Sequence, residues 1–243
     1  MERRTFLELS GGSLAGGLLA PPARLLGQSD EAFRVVQTGA GRIRGRVRSG
    51  VSIFQGIPYG AAPVGARRFM PPVRPEAWTG VHDALEYGRR AYQPFRPMIP
   101  EIGDALTGTG PMSEDCLRLN VWTPATGAGN RPVMVWLHGG GFRTGSGNSV
   151  FYNGEALARD HDVVVVTVTH RLNAFGFLYL AELGDERLRQ SANVGMQDIV
   201  MALEWVRDNI AALGGNPANV TIFGQSGGGG KTSILHGMPS ARG

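Results

Sequence analysis

What most constrains the fold of this chain is an alternation that begins at residue 117. Short runs rich in apolar and β-branched residues recur from there, separated by helix-length or turn-rich segments. "PVMVWLH" (132–138), "DVVVVTVTH" (162–170) and "NVTIF" (219–223) read as strands covered on both faces. Between the last two, Asn193–Leu213 sets Ile199, Leu203, Val206, Ile210 and Leu213 at alternating steps of four and three. That spacing makes one apolar helical stripe, and Gly214-Gly215 closes it. Leu117–Thr123 adds an alternating strand, Phe151–Arg159 a short helix, and a further helix is expected after residue 226. The order is therefore strand, strand, helix, strand, helix, strand, helix. It predicts an α/β fold with a mainly parallel central sheet.

Upstream, Phe33–Thr38, Arg42–Val47 and Val51–Ile57 are separated by glycine-containing turns and predict a small antiparallel N-terminal edge. Residues 58–100 are rich in Pro and Arg and read as ordered irregular surface anchored by Phe69, Trp78 and Tyr87, and 101–113 reads as a flexible loop. Residues 1–29 stand apart. Arg3-Arg4 is followed by Phe6-Leu7 and a mildly apolar run from Leu14 to Ala20, the layout of a twin-arginine export signal. That run is too short and glycine-rich to span a bilayer. Export by this route places the mature protein in the periplasm or outside the cell, starting near residue 28–32. Residues 30–243 then form a single domain, with length enough for a substantial core.

The net charge of +4 comes almost wholly from arginine; Lys231 is the only lysine. Proline, glycine and acidic residues interrupt the arginine clusters, and aromatics are not interleaved. They read as solvated surface, with neither a nucleic acid nor a membrane as partner. Cys116, the one cysteine, reads as buried and inert.

"IFGQSGGGGKTS" (222–233) admits two chemistries. A phosphate-binding loop needs Gly, four residues, then Gly-Lys-Ser/Thr. Counting back from Gly230-Lys231-Thr232 puts Gln225 where the first glycine belongs, and Gly224 lies one residue too far. Gly224-x-Ser226-x-Gly228 fits a nucleophile elbow without adjustment. There a strand turns sharply into a helix with the serine at the bend, and small neighbours let the two elements approach. "HGGGF" (138–142) directly follows the strand at 132–138. Backbone N–H groups on such a glycine loop can meet the oxyanion that forms during ester cleavage.

With these motifs in register, the sequence resembles the type-B carboxylesterases, a group of α/β-hydrolases that includes cholinesterases and para-nitrobenzyl esterases. The resemblance rests on "FQGIPYGAAP", "RFMPP", "SEDCLRLNVWTP", "VMVWLHGGGF", "THRLNAFGFL" and the stretch from "NVGMQDIV" to "GQSGG", in that order. It implies an α/β-hydrolase fold and ester hydrolysis with no cofactor or metal. It further implies Ser226 as acyl-enzyme nucleophile, with the backbone N–H groups of Gly140, Gly141 and Gly227 as oxyanion hole. Phe142 would line the acyl side of the pocket. Arg68 with Glu114 and Arg171 with Asp198 would be buried structural ion pairs.

Several positions depart from the family pattern. Gln225 stands where Glu is usual, and Gly227 where Ala is common. Tyr92 stands where a cysteine would pair with Cys116. Gly227–Gly230 are poor helix formers, so the helix after the elbow is expected to begin weakly. Lys231 opposes that helix's dipole and is expected to be an exposed lysine. After Ser226 there is no Asp or Glu, and the only histidine, His236, lies about 15 Å along the helix, out of reach as a base. His138 reads as shaping the loop. The expectation is a truncated N-terminal half, nearly inactive alone. The rival reading is a catalytically silent, cholinesterase-like binding protein, against which the retained Ser226 and "HGGGF" argue. The particular ester and the oligomeric state stay open.

Overall fold

The structure is a computed structural model that describes residues 32–94, 103–108 and 110–241. The export-signal expectation for residues 1–29 lies outside the described residues, whereas the loop expected at 101–113 is described except at 101, 102 and 109 and contains a short helix, Gly103–Thr107. Among the described residues eight strands form one mixed sheet: β1 (Ala32–Gln37), β2 (Arg42–Arg48), β3 (Val51–Pro58), β4 (Val81–Asp83), β5 (Arg118–Thr123), β6 (Arg131–Leu137), β7 (Val164–Thr169) and β8 (Gly215–Gly224). Their order is β1-β2-β3-β5-β7-β6-β8, and β4 pairs with β2.

The N-terminal meander is antiparallel as predicted, with β1, β2 and β3 in sequence. The antiparallel part extends further than the small edge expected, because β3 pairs antiparallel with β5 and β5 with β7. The parallel part is β7-β6-β8, together with the short β4 on β2. β7 lies between β5 and β6, so residues 124–130 pass from β5 to β6 across the width of one strand.

Among the described residues five α-helices accompany the sheet: α1 (Gly103–Thr107), α2 (Glu155–His161), α3 (Asn173–Phe177), α4 (Val194–Asn209) and α5 (Gly227–Gly237). The helix expected at Phe151–Arg159 is split into a 3₁₀ turn, Val150–Tyr152, and α2. The break follows Asn153, whose side chain accepts from Glu155 N at 2.9 Å in place of a continued backbone ladder. α4 carries the predicted stripe and tightens into a 3₁₀ turn, Ile210–Leu213, that ends at Gly214 with φ +84°.

One face of the sheet presents Val133, Val135, Leu137, Val164, Val166 and Val168 to the main core, which takes in Ile199 and Val206 of α4, Ile210 of the 3₁₀ turn that follows it, and Leu235 of α5. The other face holds a smaller cluster in which Val51, Ile53, Trp122 and Val165 meet Ala158 of α2. Two strands expected to be covered on both faces are not. Met134 and Trp136 of β6 are only half-buried, because α2 packs on β3, β5 and β7. β8 is exposed or half-buried along nearly all its length, because it forms the sheet edge and no described strand lies beyond it.

Candidate active site

β6 and β8 lie side by side in parallel, with Leu137 opposite Gly224. The segments after them therefore leave the sheet together, at the carboxyl end of parallel strands, where α/β folds place their ligands. This one pairing brings "HGGGF" and "GQSGG" together across more than eighty residues of sequence.

Ser226 has φ 55° and ψ −120° and is exposed at the start of α5. A non-glycine residue rarely adopts that conformation, and it persists only where the surroundings enforce it. Here Gly228 N donates to Gln225 O at 2.8 Å and Gly230 N to Ser226 O at 3.1 Å. The flanking glycines are required sterically. A Cβ on Gly228 would stand 1.9 Å from Leu137 O, and one on Gly224 would stand 2.6 Å from the same atom. Among the described residues none hydrogen-bonds to the Ser226 hydroxyl.

The glycine loop folds back on itself facing this turn. Gly140 O accepts from Arg143 N at 3.0 Å and Thr144 N at 3.1 Å. Gly140 and Gly141 have φ of +94° and +58°, and a Cβ on Gly140 would meet Thr144 O at 2.2 Å. A Cβ on Gly227 would fall 2.8 Å from Gly141 N, so the elbow and the loop are in contact. The N–H groups of Gly140, Gly141 and Gly227 have no acceptor among the described residues. The structure thus brings together all four residues singled out in the sequence: one exposed hydroxyl and three uncommitted backbone donors.

Beneath the loop lies a polar group that sequence reasoning missed. Lys231 is fully buried, contrary to the exposed lysine expected, because the helix turn that carries it faces the sheet. Its Nζ donates to His138 O at 2.8 Å and sits 5.4 Å from the centroid of the Phe142 ring. No described carboxylate pairs with it, and burial alone pushes its pKa down to about 7. His138 and His170 stack with ring centroids 4.9 Å apart, both buried. Their Nδ1 atoms bond the carbonyls of Gly139 (2.8 Å) and Arg171 (2.7 Å). A carbonyl only accepts, so each Nδ1 carries a proton. Burial first, and the nearby Lys231 second, hold both imidazoles well below the ordinary histidine range. Gly145 packs on His138, since a Cβ there would meet Nδ1 at 2.4 Å. His138 therefore braces the loop, as its sequence position suggested. The signal for the missed lysine was the run Gly227–Gly230, which leaves Lys231 as the first side chain of α5 after the elbow.

The predicted ion pairs divide. Arg171 and Asp198 are both buried and joined by Nε–Oδ2 at 2.9 Å, Nη2–Oδ1 at 2.6 Å and Arg171 N–Oδ2 at 3.0 Å. Arg171 Nη1 also donates to Met70 O at 2.9 Å, tying the irregular segment after β3 to the core. Burial raises the Asp198 pKa, and Arg171 opposes the rise. Arg68 and Glu114 form a bidentate pair at 2.7 and 2.5 Å, but the arginine is 44% exposed, which corrects the expectation of a buried bridge. Cys116 is a free, buried thiol whose pKa burial raises strongly, in line with an inert role. Phe142 has φ +64° and packs edge-on against Phe177.

The sequence model of the carboxylesterase family matches residues 32–243. The para-nitrobenzyl esterase of Bacillus subtilis is 43% identical over 86% of this chain and 42% of its own length. The phenmedipham hydrolase of Pseudarthrobacter oxydans is 45% identical over 86% of this chain and 40% of its own, and mouse cholinesterase is 40% identical over 85% and 34%. Among solved structures, a Geobacillus stearothermophilus carboxylesterase superposes with a TM-score of 0.78 at 46% identity, covering 85% of this chain and 40% of that one. The chain spans roughly two fifths of the length of the relatives it matches.

Proposed function

Because the chain belongs to the carboxylesterase family, we propose that it carries the nucleophile and oxyanion hole of a serine hydrolase acting on small carboxylic esters. The Ser226 hydroxyl attacks the ester carbonyl, and the negative charge that grows on the carbonyl oxygen is met by the N–H groups of Gly140, Gly141 and Gly227. Collapse of the tetrahedral adduct expels the alcohol and leaves an acyl group on Ser226, which water then removes. Phe142 lines the acyl side. The strained, exposed Ser226 against three donors without acceptors is the observation that carries this reading. Fixed donors of this kind are effective because they need no reorganisation as charge develops, and one is worth about 3 kcal/mol in barrier.

No described histidine bonds to Ser226, so among the described residues the hydroxyl proton has only solvent water to carry it to the departing alkoxide, and hydrolysis by the chain alone is slow. The N-terminal twenty-nine residues direct export by the twin-arginine route, which puts the activity in the periplasm or medium. The test is labelling by a fluorophosphonate, with the adduct mapped by peptide mass spectrometry. Reaction at Ser226, lost on Ser226→Ala, supports the proposal. No preference for Ser226 over other exposed serines refutes it and favours a silent binding protein.

A further inference from the structure

Resting on the ester-cleaving reading above, we propose that Lys231 is a positioning residue of the oxyanion hole, holding the glycine loop by its last preceding carbonyl and setting a positive charge beneath the donors. Three observations carry this. First, the Lys231 Nζ bond ends on His138 O, the carbonyl immediately before Gly139, Gly140 and Gly141. The peptide that follows this carbonyl leads straight into the donors, so fixing it restrains the loop where it leaves β6. Second, Lys231 lies on α5, which begins at the elbow, so one side chain ties the nucleophile's helix to the oxyanion loop. Gly228 and Leu137 already meet closely there, and the lysine spans the next turn.

Third, the charge is not neutralised. α5 packs on β8, β6 and α4. β8 has no titratable side chain. The segment after β6 brings His138, and the one after β7 brings His170 and Arg171; burial lowers the pKa of both imidazoles and so favours their neutral forms. On α4, Asp198 is taken by Arg171, Glu204 and Asp208 pair with Arg74, and Arg207 pairs with Asp208. His236, further along α5, is exposed. The remaining neighbours are the Phe142 face and a carbonyl, both of which favour a cation. A buried, unpaired ammonium is an expensive feature in a core. Its position under uncommitted N–H donors gives it a use, since it raises the potential where negative charge would develop. The depressed pKa of about 7 follows from the same isolation, so the charge is removed as pH passes through neutrality.

The experiment follows the rate of fluorophosphonate labelling at Ser226 between pH 6 and 9 in the full chain, in Lys231→Met and in Lys231→Arg. The expected result is labelling at least tenfold slower in Lys231→Met at pH 6, with the ratio to wild type shrinking as pH rises to 9. Lys231→Arg, with a permanent charge, should label fast and lack the change in ratio. This second variant decides the matter if Lys231→Met fails to fold. A Lys231→Met ratio that is constant with pH, or equal to one, overturns the proposal, as does a Lys231→Arg profile that keeps the wild-type pH step. Labelling of wild type no faster than of Ser226→Ala sinks the ester-cleaving reading itself, and this inference with it.

Discussion

Removing the buried ammonium should make the chain more stable, by an amount that depends on pH. In water the Lys231 side chain holds its proton to 10.5, whereas in the folded chain it releases it at about 7. At about 1.4 kcal/mol per tenfold in proton affinity, the full difference is on the order of 5 kcal/mol. Below pH 7 both states are protonated, and the folded state bears the whole burden of the buried charge. Between pH 7 and 10.5 the unfolded chain binds more protons than the folded one, so stability rises with pH. From pH 7 to 9 the linkage relation gives a gain of about 2 kcal/mol. Lys231→Met has a similar side-chain length and no charge, so its stability should lack this component. The assay is urea denaturation of both proteins at pH 7, 8 and 9. The variant is expected to be the more stable at pH 7, with its advantage shrinking by about 2 kcal/mol by pH 9. Because Lys231 is the only lysine, ¹³C-lysine labelling also gives a single side-chain resonance whose titration can be followed directly. Parallel stability curves, or a resonance that titrates near 10.5, would refute the reasoning.

Three other substitutions probe the site and its support. Gly228→Ala places a Cβ 1.9 Å from Leu137 O, which neither backbone can relieve without opening the elbow; a loss of about 3 kcal/mol or more is expected by urea denaturation, together with loss of Ser226 labelling. Arg171→Met strands the Asp198 carboxylate in the core and should lower stability by about 3–5 kcal/mol at pH 7, with part recovered in Arg171→Met/Asp198→Leu. Gly140→Ala forces a Cβ to within 2.2 Å of Thr144 O at φ +94°, so the loop must shift; Ser226 labelling should fall by about a hundredfold, with a lowered thermal unfolding temperature.

Much of this architecture was legible from periodicity and turn chemistry. The stripe from Ile199 to Leu213 marked α4, and Gly214 marked its end, because helical spacing and a left-handed glycine are local properties. The elbow was legible because a serine at positive φ between glycines needs those residue types at that spacing. What local pattern cannot encode is the neighbour across the sheet. "NVTIF" has the composition of an interior strand, yet β8 is the edge, since burial depends on which strand lies alongside. Likewise β5 resembled a strand of the parallel part, but the order in which β7 inserts beside it sets its direction. β4 and α3 were missed because three or five residues are too few to show a period. The burial of Lys231 was missed for a different reason: helix rules place a cation near an N-terminus at a disadvantage, and here tertiary packing overrides them.

At the centre of this account is the proposal that the N–H groups of Gly140, Gly141 and Gly227 receive an oxygen bonded through Ser226. A crystal structure of the chain phosphonylated at Ser226 measures this directly. The account predicts the phosphoryl oxygen about 2.7–3.1 Å from at least two of the Gly140, Gly141 and Gly227 nitrogens. A phosphoryl oxygen directed to solvent, with those nitrogens left unbonded, would contradict it.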